Sequence, residues 1–409
     1  MDPVGDFSHY KDINFTQQWP WVGVAGSVIT FAGNMRIGVN TRFLLPGQME
    51  GYGNFVYEIF TRLATDHPEH TFFFLFDRPY DPGLPVFSNV KPVVIGPRAR
   101  HYVLFKWWFD VKLPLALRRL KIDVFISSDG FCSLTTSVPQ VVVVHDLAFL
   151  YFPRFIHKLH LLFYRRYTPM FLKKAKVVAT VSFFSKQNII EKYGVNEKKV
   201  LVVHSAAKQA FKPLDWQQRE EAKEKYAGGC EYFVFVGGLQ LRKNFMNVLK
   251  AFSQFKKRQQ SNMKLLVAGR LHPDPDMVIE KLKTYKFKAD VLLMGYIPAN
   301  TLPELIGAAY ALVYPSYFEG FGVPIIEAMQ CGVPVITGNA SSMPEVAGGA
   351  ALLVNADDPV DIADKMKTIY KDEGLRQKLV AQGLQNAAIY SWQKTSELLW
   401  EAIQQAVYK

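Results

Sequence analysis

The sequence predicts an α/β protein built of two parallel-sheet domains in series, and three observations carry that reading. From Met35 onward, short β-branched or aromatic runs alternate with helical patterns. This is how a parallel sheet covered on both faces is written, because each crossover to a parallel neighbour needs a helix. A polar stretch, Asp215 to Gly229, interrupts the alternation near mid-chain, after which it restarts. The chain is also long for one core, with 409 residues of which 49% are apolar, and such a chain divides naturally into two domains.

At the N-terminus, residues 1–34 differ in composition from the rest of the chain. Trp19 to Gly33 is apolar or small throughout and carries no charge. It is short for a membrane span and lacks the basic leader of a secretory signal. The expectation is a disordered extension or an over-long gene start, with a membrane-leaning tail as the alternative. The first domain is expected over 35–208, with strands at Met35 to Val39, Thr71 to Phe76, Lys91 to Ile95, Val124 to Ser127, Gln140 to His145, Lys176 to Thr180 and Val200 to Val202, and helices such as Tyr52 to Thr65 between them. The boundary falls near 205–214, just before the polar stretch.

The second domain, 209–390, repeats the scheme. Its strands are expected at Tyr232 to Val236, Lys264 to Ala268, Val291 to Met294, Ala311 to Tyr314, Val335 to Thr337 and Ala351 to Val354. Its helices are expected at about 244–259, 274–285, 301–307, 323–330, 342–346 and 359–371. Residues 391–409 come after this sheet is complete. They hold Trp392, Leu398, Leu399 and Ile403 at helical spacing, which predicts a packing helix, one that could return to the first domain and clamp the two. Two such units imply Rossmann-like domains facing across a cleft.

Net charge is +12, a balance that attracts anions in general and leaves nucleic acid, membrane and small anionic ligands open. Cys132, Cys230 and Cys331 are far apart, with neither metal-ligand spacing nor a disulfide framework, which fits a reducing compartment.

Chemistry is sought at strand ends, where open sheets bind ligands. In FVGGLQLRKN, Gly237 and Gly238 end a strand and Arg242 and Lys243 precede a helix. Glycines allow close backbone approach, and a guanidinium with an ammonium suits a diphosphate. A tight turn bearing solvated cations is the plain alternative. In VAGR, Arg270 could rim a base pocket or be a surface residue. In GYIPANTLPELIGAA, Thr301 and Glu304 have capping-box spacing, and the backbone could also read a base edge.

The sharper signal is VYPSYFEGFGVPIIEAMQC, where Glu319 precedes the turn Gly320, Phe321, Gly322 and Glu327 lies about one turn inside the next helix. Turn amides and a helix N-terminus favour phosphate. One carboxylate there could accept from sugar hydroxyls and the second could clamp a ribose diol, although Glu327 could equally be a charge that suits the helix dipole. TGNASSMPEV offers another anion-facing or merely well-capped turn, with Pro344 and Glu345 in its first helical turn. In the first domain, VVVVHDLAFL puts His145 and Asp146 at the end of an apolar strand. His145 could donate to a sugar hydroxyl or a phosphate, or the pair could be structural. The glycine-rich Gly47 to Asn54, which includes Gly51 and Gly53, would border the same cleft.

One regional feature remains. Leu147 to Ile190 contains no Asp or Glu but eight Lys or Arg interleaved with aromatics, and Arg98 to Lys121 is similar, with Asp110 its one acid. Such a face suits an anionic membrane or single-stranded nucleic acid, or is a plain basic surface over an aromatic core. No recognised nucleic-acid motif supports the second option.

Together, EGFGVPIIEAMQCGVPVITGNASSMPEV from Glu319, with RKN at 242–244, GY at 295–296 and HD at 145–146, resemble the retaining GT-B glycosyltransferases of bacterial cell-surface polysaccharide synthesis (family 4, group 1, mannosyl- and rhamnosyltransferase-like). The resemblance covers about 35–390. It implies a donor-binding second domain and an acceptor-side first domain. Glu319 would hold donor-sugar hydroxyls, Glu327 the ribose, Lys243 the diphosphate, and His145 would sit beside the transferred sugar. Gly51 and Gly53 would line the acceptor and phosphate side. Gly237, Gly238, Arg242, Gly320, Phe321 and Gly322 would complete the donor site.

Two positions depart from the family. Gly238 stands where many relatives have an Arg that shares the diphosphate, a loss for which Arg242 could compensate. His204-Ser205-Ala206-Ala207 replaces a frequent Asn-Gly turn. The implied reaction moves a hexose from a nucleotide-diphosphate sugar, GDP-mannose or similar, to a lipid-linked glycan or polysaccharide precursor. No tightly bound cofactor, metal or nucleic acid is expected. The implied location is cytoplasmic, peripheral at the inner membrane face. A nucleotide-sugar epimerase of the same fold and a non-catalytic basic binding module are the alternatives. The nucleotide base, the hexose and the oligomeric state are not readable from the residues.

Overall fold

A computed structural model describes residues 33–45, 51–84, 87–99, 102–270, 280 and 282–408. The expected extension up to residue 32, the start of the glycine-rich loop at 47–50 and most of the helix expected at 274–285 lie outside the described residues. The described residues form two compact units, one of residues 33–205 and 392–408, the other Ala206–Ser391.

The first unit is a seven-stranded sheet with every described pairing parallel. Its strands are β1 (Arg36–Asn40), β2 (Thr71–Phe76), β3 (Val90–Val94), β4 (Val124–Ser127), β5 (Gln140–Val144), β6 (Val177–Thr180) and β7 (Val200–Val202), in spatial order β3-β2-β1-β4-β5-β6-β7. All five residues of β5, QVVVV, are buried, as expected of a central strand covered on both faces. The strand order reverses between β1 and β4, so the C-terminal ends of those two strands open a crevice. The helix Trp392–Tyr408 packs on the helix Tyr52–Asp66 and on β4, β5 and β6 of this unit. Trp400 stacks on His67 at 3.8 Å, and Trp392 meets Phe55 edge-on at 6.0 Å.

The second unit has β8 (Tyr232–Val236), β9 (Lys264–Ala268), β10 (Val291–Gly295), β11 (Ala311–Tyr314), β12 (Val335–Gly338) and β13 (Leu352–Val354), in the order β10-β9-β8-β11-β12-β13 and again parallel. Here the order reverses between β8 and β11, where Leu312 pairs with Val234. Its core joins Phe233, Phe235, Val267 and Ile336 to Val248, Phe252 and Met366 of the covering helices.

One local expectation is corrected, and two helices are added that the sequence reading did not assign. The Thr301–Glu304 capping box does not form: Thr301 makes no side-chain cap, and Glu304 instead binds Lys225 at 2.8 Å and the Tyr226 hydroxyl at 2.8 Å. The polar stretch after Asp215 is itself a helix, Trp216–Ala227, closed by a capping box of Asp215 and Gln218. A helix unannounced by the sequence, Glu373–Ala387, packs on the helix Val323–Gln330. Its buried positions include Gly383, Asn386 and Ala387, which are too small or too polar to draw an apolar stripe.

Candidate active site

In the second unit the two strands at the order reversal each deliver part of one charged cluster. After β8 the chain turns through Gly237 and Gly238 into the short 3₁₀ turn Leu241–Lys243. Gly237 has φ +137°, and a Cβ there would meet Lys243 Cε at 3.4 Å, so its bareness leaves the lysine its path. Gly269, at the end of β9, fits only as glycine, because a Cβ would fall 2.0 Å from the Gly237 carbonyl oxygen.

Asn244, left-handed at φ +62°, donates through Nδ2 to the carbonyls of Pro315 (3.0 Å) and Ala356 (2.6 Å). It thereby ties this turn to the loops after β11 and β13, a fixing role that the RKN motif alone did not disclose.

After β11, Glu319 comes back to meet the two cations. Arg242 Nη1 lies 2.8 Å from its Oε2 and Lys243 Nζ lies 2.7 Å from its Oε1. The second contact is an ion pair without in-line hydrogen-bond geometry. Arg242 also donates to the Phe318 carbonyl, and Lys243 to the Tyr314 hydroxyl. Glu319 is only 7% exposed. Burial pushes its carboxyl up, but Arg242 and Lys243 overcome this and hold it at about 2.

The turn itself is braced by two serines. Glu319 N–H donates to Ser341 Oγ (3.0 Å), and Ser342 Oγ donates to the carbonyls of Glu319 (2.9 Å) and Phe321 (2.8 Å). Glu319, which precedes the glycine turn, thus has its own N–H already bonded. Phe321 is a packing residue with its ring edge on Tyr390 at 5.4 Å. Gly322, at φ +102°, starts the helix Val323–Gln330 that carries Glu327. Glu327 keeps some access to solvent, but its surroundings push the carboxyl up to about 7 by burial, against the pull of Lys208. Arg270 stacks on Tyr296 at 4.7 Å, which joins the VAGR and GY segments.

In the first unit, the structure puts His145 beside the start of the helix Tyr52–Asp66. Its ring meets Tyr52 edge-on at 4.6 Å and Phe55 at 4.9 Å. Gly51, at φ +44°, and Gly53 are in that same helix start. His145 Nε2 lies 3.0 Å from the Ser128 carbonyl oxygen. A carbonyl can only accept, so Nε2 carries the proton and Nδ1 is the acceptor. Burial draws the imidazole down to about 4, against the Ser128 bond and the charges of Asp146 and Asp129.

The neighbouring network was not singled out from the sequence. Arg42 Nη2 pairs with Asp129 Oδ2 at 2.6 Å, and Asn40 Nδ2 and Ser127 Oγ donate to the same carboxylate at 2.9 and 2.8 Å. Arg42 lies within 5.2 Å of the rings of Phe105, Trp108 and Phe109. This buried pair fixes the loop after β4 whose Ser128 carbonyl holds His145.

Among the described residues, one group is close enough to hold a cation: His67, Glu69 and His70. It precedes β2, at the opposite strand ends from His145. His70 Nδ1 accepts the Met35 N–H at 3.2 Å, which makes Nε2 the protonated nitrogen of the neutral ring and disfavours a metal there. No described helix is long and apolar enough to cross a membrane.

Comparison with known proteins bears on each unit separately. A model described as Glycosyltransferase Family 4 matches residues 49–207, and one described as Glycosyl transferases group 1 matches residues 217–386. The chain is a GT-B glycosyltransferase related to these two families.

The transferase is 29% identical over 254 residues to O-antigen chain mannosyltransferase B of Escherichia coli, covering 62% of this chain and 67% of the relative. It is 28% identical over 288 residues to O-antigen chain mannosyltransferase RfbU of Salmonella typhimurium, covering 69% and 72%. The structure of Anabaena HepE in complex with UDP-glucose superposes with TM-score 0.72 at 15% identity, covering 91% of this chain and 100% of that one. The enzyme is thus a hexosyltransferase that moves a sugar from a nucleotide-sugar donor to a glycan or lipid acceptor.

Proposed function

We propose that the enzyme is a retaining mannosyltransferase-type hexosyltransferase, using GDP-mannose or a similar donor and a lipid-linked glycan or polysaccharide precursor as acceptor, on the cytoplasmic side of the membrane. The carrying observation is the Arg242, Lys243 and Glu319 cluster at the order reversal of the second sheet. The mannosyltransferases among its relatives support the choice of sugar.

In this reading Arg242 and Lys243 receive the donor diphosphate and stabilise the charge that builds on it as the sugar leaves. Glu319 accepts from sugar hydroxyls and Glu327 from the ribose diol. His145 stands beside the transferred sugar and accepts through Nδ1. Gly51 and Gly53 line the acceptor side. The bond from the anomeric carbon to the phosphate oxygen breaks, with its electron pair going to the diphosphate. The acceptor oxygen then bonds to that carbon from the same face and passes its proton to the departing phosphate. Glu319, buried and tied to two cations, is unsuited to the nucleophilic role of a glycosidase carboxylate.

The test supplies GDP-mannose and a lipid-linked oligosaccharide and reads the product by NMR. An α-linked product from an α-donor supports the reading. Conversion of the donor to an epimer without acceptor would replace it with the epimerase alternative.

A further inference from the structure

We propose that Tyr314 is a positioning residue for Lys243, a role that rests on the reading of that lysine as a diphosphate-binding cation. Tyr314 ends β11, one of the two strands at the order reversal of the second sheet. Its side chain is fully buried, and its hydroxyl accepts from Lys243 Nζ. Backbone holds both partners of this bond. The Tyr314 carbonyl accepts from Thr337 Oγ1 at 3.0 Å, in register with β12. Asn244, next to Lys243, donates at 3.0 Å to the carbonyl of Pro315, next to Tyr314. The hydroxyl is therefore a fixed point for a four-carbon side chain that is otherwise flexible.

Packing alone does not ask for a phenol here. The other three residues of β11, Ala311, Leu312 and Val313, are buried and apolar, and a phenylalanine would complete the strand with no polar atom to satisfy. A buried hydroxyl costs free energy unless it is bonded. In this strand its bond goes to the cation of the site.

The chemistry of the acceptor matters because Lys243 has a second one. Glu319 also holds the ammonium, at 2.7 Å, but with a negative charge that offsets the lysine's own. An incoming diphosphate is repelled by that carboxylate, and sugar hydroxyls draw on the same oxygens. A phenol sets no charge against the phosphate. Burial, and then the charge of Glu319 beside it, raises the Tyr314 hydroxyl well above the usual tyrosine range, so it stays protonated and neutral. It accepts from the ammonium through a lone pair and leaves the positive charge for the phosphate as negative charge builds there. Lys243 thus keeps its place when Glu319 is engaged by the sugar.

The test is a double-mutant cycle on the full chain: Tyr314→Phe, Lys243→Met and the two combined. Turnover of GDP-mannose with a lipid-linked oligosaccharide is read as kcat and donor KM separately, with circular dichroism as the check on folding. Tyr314→Phe removes one oxygen and keeps the ring. It is expected to lower kcat by about tenfold or more, the size of one hydrogen bond to a charged group, and to leave donor KM within about twofold, because the lysine is used most as charge develops. Combined with Lys243→Met it should add nothing, whereas a ring that only packs would cost the same in both backgrounds. Nitrogen-15 NMR reads the contact without substrate. The Lys243 ammonium signal, identified by its loss in Lys243→Met, should be observed in the wild type and broadened by exchange in Tyr314→Phe. An unchanged kcat in Tyr314→Phe, equal factors in the two backgrounds, or an ammonium signal indifferent to the substitution would overturn the proposal. So would loss of the fold in Tyr314→Phe, since the hydroxyl would then hold the strand rather than the lysine. Turnover that survives Lys243→Met is a separate failure, because it removes the lysine from the diphosphate and with it the reading underneath.

Discussion

Lys243 and Glu319 form a largely buried ion pair, Nζ to Oε1 2.7 Å, and Arg242 closes on the other carboxylate oxygen at 2.8 Å. The carboxylate thus occupies the positive charge that a donor diphosphate would use, and donor binding must compete with it or share it. Glu319→Gln removes that competition and, with it, the hydroxyl acceptor. The expected result is a nucleoside diphosphate bound about tenfold tighter, because one nearby anion is gone, together with turnover lower by about a hundredfold or more. Calorimetric titration and a steady-state assay read the two effects separately. Weaker nucleotide binding in the variant would contradict this account of the pair.

Glu327 gives a pH signature. Burial holds its carboxyl up at about 7, whereas clamping a diol requires the carboxylate. Donor affinity should therefore rise with pH through about 7, and binding should draw a proton off Glu327. In Glu327→Gln that slope should vanish. Glu327→Ala should cost about ten- to a hundredfold in donor affinity, the size of hydrogen bonds to a charged group. A pH series of dissociation constants checks both.

His145 should be silent near neutrality. Its imidazole is drawn down to about 4 by burial, so it stays neutral in the folded protein where an unfolded histidine would take a proton. Its contribution to stability is therefore complete above about 6.5 and is lost as pH falls toward 4. Nitrogen-15 NMR of labelled histidine should show the Nε2–H tautomer with no titration between about pH 5 and 8. Asp129→Asn, which weakens the Arg42 pair under the Ser128 carbonyl, should loosen that tautomer while leaving the second unit unchanged.

Gly238 and Gly269 should respond oppositely to substitution. A Cβ at Gly238 meets only the Arg270 carbonyl at 3.7 Å, an ordinary contact, whereas one at Gly269 would lie 2.0 Å from the Gly237 carbonyl oxygen. Gly238→Arg should fold normally and bind the donor about tenfold more tightly by adding a third cation. Gly269→Ala should lower the thermal midpoint and weaken donor binding. An unchanged affinity in Gly238→Arg would indicate that Arg242 and Lys243 already saturate the diphosphate.

The central strands were the most legible because they are fully buried. Runs such as YFVFV and QVVVV have no solvent side to dilute them, and the structure places them within a residue or so of where the sequence puts them. The charged cluster was legible too, since Lys243 and Glu319 both follow strands and a reversal in strand order brings two such ends together. The Arg42–Asp129 network was not. Asn40 and Asp129 each look like ordinary turn residues after a strand, and only the pairing of β1 with β4 joins them. The one usable signal was that both strands end in short polar side chains. The Ser341 and Ser342 brace was visible as two serines, but its target, the Glu319 turn, was not.

The most direct measurement is donor turnover by the purified enzyme across GDP-, UDP-, dTDP- and ADP-sugars with a lipid-linked acceptor, alongside Lys243→Met. The account predicts selective use of one donor, with GDP-mannose first in order, and a loss of about a hundredfold or more in Lys243→Met while the variant stays folded. Turnover that survives in Lys243→Met would contradict it, because the cluster at the reversal of the second sheet would then not be where the diphosphate is held.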